Sequence, residues 1–205
     1  MTVLMIQSHY QEPFAMTAPL FADAISSGLM KVVREMELTD QHFASARGLI
    51  TTTHLDQIGF QRFAAAVIAF LDRGGRWIYH GHILRPVLPE LGIYRPIENP
   101  KRVDLDQVRL YDHPIFSGID QKTLETNHGV AGFYGRGHNP PPEGAIVINA
   151  LGPRQVPVDW IWARPKGGEI LSHAGNEFWG CGDDPEAKKL LARRATAWLC
   201  GELNR

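Results

Sequence analysis

Cysteine is scarce in this chain: Cys181 and Cys200 are the only two, and they form neither a Cys-x-x-Cys pair nor a disulfide framework. A disulfide-stapled scaffold is thereby excluded, and a reducing cytoplasm is the expected compartment. An excess of either charge is missing as well. Lys and Arg number 21 against 22 Asp and Glu, a formal net charge of −1, and neither sign forms a long run. The electrostatic footprint that nucleic acid or an anionic membrane requires is therefore absent, and neither partner is expected. Long apolar runs are lacking too. The longest, residues 64–71, is far too short to span a bilayer. The short apolar run near the N-terminus follows no basic segment, so it fits a first strand better than a signal peptide.

What is present is an ordinary globular composition, 44% hydrophobic and 21% charged over 205 residues, enough to bury one sizeable core. A single domain over residues 1–205 is expected, and self-association into a homo-oligomer is compatible with it. Residues 3–8 form a compact apolar run ending in polar residues, the pattern of a strand buried on both faces of a parallel sheet. Residues 19–30 read as a helix, 31–38 as a second strand and 48–53 as a third. A helix then follows, with Asp56 as its cap and Phe60, Phe63, Ala64, Val67, Ile68 and Leu71 at the spacing of one apolar face. Gly74 and Gly75 end it, and residues 76–80 read as the next strand. Strand and helix in alternation predict an α/β fold with right-handed crossovers and a doubly wound, mostly parallel sheet. Pro86, Pro89, Pro96 and Pro100 mark a change of style. A β-rich insertion or antiparallel extension is expected around residues 94–165, with strands at 108–111, 145–150 and 158–163. Residues 169–173 read as the last core strand. Asp184-Pro185-Glu186 opens a terminal helix that buries Leu190, Leu191, Ala195, Trp198 and Leu199.

Three segments carry a resemblance. Phe70-Leu-Asp-Arg-Gly-Gly-Arg-Trp-Ile-Tyr-His-Gly-His82 looks like a helix, double glycine and strand leading into a catalytic turn. Asp112-His-Pro-Ile-Phe-Ser-Gly-Ile119 and Ile170-Leu-Ser-His-Ala-Gly-Asn-Glu-Phe-Trp179 are the other two. In order and spacing they resemble the class I glutamine amidotransferase-like superfamily, nearest to its ThuA-like (trehalose-utilisation) members. The resemblance implies a flavodoxin-like core. It does not carry over the glutaminase, which needs a cysteine in a Gly-x-Cys-x-Gly turn, a histidine base and an orienting carboxylate. Here that turn reads Gly81-His82-Ile83-Leu84, without sulfur. ThuA-like proteins commonly place a histidine near this point, and either His80 or His82 stands as its equivalent.

In a flavodoxin-like sheet, ligands bind outside the carboxyl ends of the strands, where strand order reverses. Those ends carry Ser8 and His9, Thr53 and His54, His80 and His82, and on the final strand His173, Asn176 and Glu177. His9, His82 and His173 are expected to line one shared concave site. Imidazole there can act as an acid or base near neutral pH, ligate a metal, or bond a polar substrate. Each histidine alone would equally serve to satisfy loop backbone at the sheet rim. No cofactor is called for, although His9, His54 and His82 are candidate ligands for a divalent metal. The glycine-dense run Gly129 through His138 has the wrong spacing for a phosphate loop, and three prolines follow Asn139. Tyr134, Arg136 and His138 are expected to reach from it over the sheet edge to a ligand. The alternative is a surface excursion stiffened by its prolines. Cys181 reads as a structural thiol, and Trp160 and Trp162 as core or interface contacts.

These observations point to an amidotransferase-like domain without glutaminase activity. It would bind a small polar metabolite, sugar-like by the resemblance, at the carboxyl edge of the sheet. If it is an enzyme, histidine acid/base chemistry is the favoured mechanism, with His82 opposed by His9 or His173. Two other classes remain open: a catalytically silent binding or assembly module, and a metal-dependent hydrolase using His9, His54 and His82.

Overall fold

The structure, a computed structural model, describes residues 2–8 and 18–203. Its strands are β1 (Thr2–Gln7), β2 (Met30–Arg34), β3 (Ala46–Thr51), β4 (Arg76–His80), β5 (Arg95–Pro96), β6 (Gln107–Arg109), β7 (Thr126–Asn127), β8 (Val130–Ala131), β9 (Gly137–His138), β10 (Ile146–Leu151), β11 (Val156–Ala163) and β12 (Glu169–His173). The helices are α1 (Ala18–Ser26), α2 (Asp40–Ser45), α3 (Gln57–Phe60), α4 (Ala64–Asp72) and α5 (Pro185–Leu199).

Eight strands form one sheet in the order β2-β1-β3-β4-β12-β11-β10-β6. Pairing is parallel from β2 across to β12 and antiparallel from β12 through β11 and β10 to β6. The fold is thus α/β and flavodoxin-like in its first five strands, with the antiparallel extension supplied by residues 107–109 and 146–163. A parallel strand returning to the same edge needs a crossover, and α1, α2 and the α3–α4 segment supply them. The extension follows β12 in space but precedes it in sequence, so a hairpin, β10–β11, suffices to build it.

Both faces of the parallel part are covered, which explains the unbroken apolar run of β1. Val3 and Met5 pack on one side with Phe21 of α1 and Leu191, Ala195, Trp198 and Leu199 of α5. Leu4 and Ile6 pack on the other with Phe43 of α2 and Val67, Phe70 and Leu71 of α4. Asp56 caps α3 through the backbone N–H groups of Ile58 and Gly59, each at 3.1 Å. The helix expected from residue 56 is interrupted by a 3-10 turn at Gln61–Phe63 before α4 continues it. At the terminal helix Asp184 accepts from the Glu186 backbone at 2.9 Å, with Pro185 in the first turn.

Local expectations shift, and one helix was not expected: the third strand ends at Thr51 rather than 53, which leaves Thr53 just past the strand. The second strand stops at Arg34 rather than 38, because Glu35–Glu37 wind into a 3-10 turn that returns Leu38 to the core. Helix α2 carries only one buried side chain, Phe43, so it shows no apolar period in the sequence.

Candidate functional site

The carboxyl ends of β3, β4 and β12 lie side by side, and a cavity of about 830 Å³ opens above them. Thr53, His54, His82, Gly175 and Asn176 line it from the strand ends, while Phe133 and Arg136 close it from the glycine-rich segment. That volume lies within the range of small-molecule sites.

The turn after β4 presents His82 to this cavity. Gly81 has φ +99°, and a Cβ there would stand 2.9 Å from the Thr53 carbonyl oxygen, so only glycine fits. Several backbone groups of the turn are fastened. Gly81 N–H donates to His173 O at 3.0 Å, and Gly81 O accepts from Asn139 Nδ2 at 2.9 Å. Ile83 N–H donates to Asn139 Oδ1 at 2.9 Å. His82 O accepts from Gln57 Nε2 at 2.7 Å and from the Tyr79 hydroxyl at 3.1 Å. Gln57 Oε1 in turn accepts from Leu84 and Arg85 N–H at 2.8 and 2.9 Å. The imidazole of His82 stacks on Tyr94, centroids 3.6 Å apart and planes 13° from parallel. Partial burial and the nearby His173 lower its pKa from the ordinary histidine value, which keeps it neutral and able to accept a proton at neutral pH.

His80, two residues earlier, points the other way. It is fully buried against Phe178 and Trp179, its Nδ1 lies 3.2 Å from Thr51 O, and its Nε2 has no partner among the described residues. Burial first, and His173 second, hold its pKa well below the ordinary value of 6.5. The sign of the consequence is fixed: the folded chain keeps this ring neutral, while the unfolded chain protonates it below about pH 6.5. Stability from this site is therefore complete above that pH and is lost as pH falls, by up to about 1.4 kcal/mol per pH unit for one such group. Urea unfolding between pH 7.5 and 5.5 is expected to show this slope, reduced in His80→Gln. Equal slopes in the two proteins would remove His80 as the cause.

Behind the cavity lies a buried polar network. His173 Nδ1 is 2.5 Å from Asp159 Oδ1, both side chains being wholly inaccessible. Asp159 Oδ2 accepts from the Tyr134 hydroxyl at 2.6 Å and from Asn149 Nδ2 at 2.7 Å, and Arg109 Nε donates to Asn149 Oδ1 at 3.2 Å. With Asp159 as the shared acceptor of all three contacts, Nδ1 is the donor nitrogen of His173. Gly175 seals this network from the cavity: a Cβ there would overlap the Tyr134 carbonyl oxygen and stand 2.8 Å from His173 Nε2.

The structure thus sorts the sequence candidates. Thr53, His54, His82, Arg136 and Asn176 share the cavity wall. His80 and His173 approach to 5.8 Å between ring centroids but lie beneath that wall, wholly buried. Tyr134, expected to reach over the edge toward a ligand, is instead buried with its hydroxyl on Asp159, because the glycines around it let the backbone fold inward. His138 sits on β9 away from the cavity lining, and Glu177 accepts the Thr53 N–H at 2.8 Å. Ser8 is buried at the end of β1, and His9 lies outside the described residues. Among the described residues no group of three His, Cys, Asp or Glu side chains is placed to hold a metal ion. Cys181 is buried, and burial together with Glu177 and Asp159 pushes its thiol pKa well up. Trp160 and Trp162 are core side chains, anchored on Asn139 O and Glu143 O. The described residues contain no helix long and apolar enough to cross a membrane.

Several residues of this arrangement escaped the sequence reading, among them Asp159, Asn139 and Gln57. Asp159 carried a usable signal, a lone carboxylate inside the apolar run Val158-Asp159-Trp160-Ile161. Asn139 and Gln57 carried none, since each acts by bonding backbone far away in sequence.

No protein-family model matches this sequence, and no curated protein does. Solved structures resemble its fold. A GMP synthase subunit-like protein from Thermoplasma acidophilum superposes with TM-score 0.59 at 8% identity, over 98% of this chain and 94% of that one. A ThuA-like protein of Bacteroides uniformis gives TM-score 0.54 at 13% identity, over 99% and 92%. A cytoplasmic protein of Salmonella typhimurium LT2 gives 0.54 at 13%, over the full length of both chains. At such identities the likeness reaches the fold alone, an α/β architecture that this chain shares with these three proteins.

Proposed function

We propose that this amidotransferase-like fold binds a small polar metabolite in the cavity at the carboxyl edge of its sheet, without glutaminase activity. The observation that carries the reading is the turn after β4. In this fold type a nucleophile would stand there, and here the left-handed position is Gly81, with His82 on the cavity wall. Backbone bonds on both sides of His82 and the stacking of its ring on Tyr94 support a preorganised imidazole, as a binding or proton-transfer group needs. His173 and Asp159 are sealed beneath Gly175, so His82 is the imidazole suited to exchange a proton with the ligand. His54, exposed on the same wall, would serve in binding.

A thermal-shift screen of small polar metabolites tests this. A ligand at 100 times its Kd adds about 2.7 kcal/mol of stability, readily measured as a raised melting temperature. At least one compound is expected to stabilise the protein and to lose that effect in His82→Ala. The same preparation is expected to release no ammonia from glutamine. A screen with no stabilising compound, or stabilisation indifferent to His82, would end the proposal, and ammonia release abolished by Cys181→Ala would move the chemistry to the last strand.

A further inference from the structure

We infer that the ligand of this cavity is an organic anion with an apolar body, a carboxylate or phosphomonoester on a hydrocarbon or aromatic frame, rather than a polyol. The inference rests on the binding role proposed above and narrows its chemistry.

Most polar side chains on the wall are already engaged with the protein. Thr53 Oγ1 donates to Gly175 O at 3.3 Å, and Asn176 Nδ2 donates to Phe133 O at 3.1 Å. Both ends of the Gln57 amide are used on the 82–85 backbone. A sugar is held by several paired donors and acceptors, and each one left without a partner costs affinity. Among the described residues this wall offers no carboxylate to bond hydroxyls, and its amides are largely occupied.

What its described residues do offer is one permanent charge and an apolar rim. Arg136 is the only Lys, Arg, Asp or Glu among the described lining residues. Its guanidinium is oriented by backbone carbonyls, Nη2 on Ala131 O at 3.0 Å and Nε on Gly132 O at 3.4 Å, neither of which neutralises it. Planar guanidinium matches carboxylate and phosphate oxygens. The same lining includes Leu84 and Val130, 52% and 51% exposed, together with Phe133. Leu84 is held there by its N–H bond to Gln57 and Val130 by the β7–β8 pairing, so their exposure is built into the backbone. Two fixed apolar side chains on the rim of a cavity whose described lining holds a single cation fit a ligand with an anionic head and an apolar body.

Calorimetric titration of the intact protein with phenylacetate, phenyl phosphate, acetate, inorganic phosphate and glucose tests the assignment. One or both aromatic anions are expected to bind at least roughly tenfold more tightly than the matching small ion, a difference of about 1.4 kcal/mol. Phenylacetate above phenyl phosphate marks a carboxylate head, and the reverse order a phosphate. Arg136→Gln is expected to weaken that binding at least about tenfold and Arg136→Lys less, while Leu84→Ser with Val130→Ser erases the preference for the aromatic body. Circular dichroism confirms that the variants are folded. Glucose binding without either aromatic anion would overturn this inference and leave the metabolite-binding reading standing. Aromatic anions that bind equally to Arg136→Gln, or show Kd values above about 10 mM, would also overturn it. The His82 screen decides the broader reading separately.

Discussion

Asp159→Ala is expected to lower the stability of the fold by about 3 to 5 kcal/mol, the usual result of removing one partner from a buried charged network. The carboxylate is wholly inaccessible and accepts from three donors, His173 Nδ1, the Tyr134 hydroxyl and Asn149 Nδ2. Alanine leaves all three without their acceptor in a dry interior, and each such group costs about 1 to 3 kcal/mol. The remaining contact between Asn149 Nδ2 and the Tyr134 oxygen, 3.3 Å, replaces only part of what is lost. Asp159→Asn keeps one acceptor oxygen but turns an amide N–H₂ toward one of the donors, so its cost should fall between the parent and alanine. Urea unfolding of the three proteins measures this. A midpoint for Asp159→Ala within about 1 kcal/mol of the parent would mean that water reaches the network and satisfies it.

That network marks the limit of what the sequence disclosed. The parallel core was legible because its strands are apolar runs and its long helices repeat at 3.6 residues. The expected strands at 76–80 and 169–173 match β4 and β12 residue for residue. The antiparallel extension was legible from the loss of helical period after Pro86, though not its place beyond β12, which depends on pairing between segments far apart in sequence. The cavity wall was legible where it is built from residues that follow strand ends, as at Thr53, His82 and Asn176. It was not legible which of two alternating histidines would face it. Strand alternation puts His80 and His82 on one side only while the strand lasts, and Gly81 ends it with a left-handed turn. The bonds that fix that turn come from Gln57, 25 residues before His82, and from Asn139, 58 residues after Gly81. No local pattern encodes separations of that kind.

Gly175→Ala should be as disruptive as a one-carbon change can be, and for a reason that the backbone angle does not supply. Gly175 does not adopt a positive φ, so alanine can take up its backbone conformation. The obstacle is space. The added carbon would overlap the Tyr134 carbonyl oxygen, a backbone atom, and stand 2.8 Å from His173 Nε2. Neither neighbour can yield freely. Moving the carbonyl displaces Tyr134, whose hydroxyl is bonded to Asp159, and rotating the imidazole breaks the other bond to the same carboxylate. Relief of the clash therefore strains the whole network, and a loss of about 1 to 3 kcal/mol or somewhat more is expected, as for other overpacked interiors. Gly180→Ala is the matched control, five residues along, without a positive φ and with nothing within 4 Å of an added carbon. That variant should stay within about 0.5 kcal/mol of the parent. Because Gly175 also lines the cavity, the destabilised variant should bind cavity ligands more weakly than Gly180→Ala, linking the sealed network to the open site. Unfolding midpoints that coincide for Gly175→Ala and Gly180→Ala would show that the loop carrying Tyr134 yields without cost, and that the wall between cavity and network is not rigid.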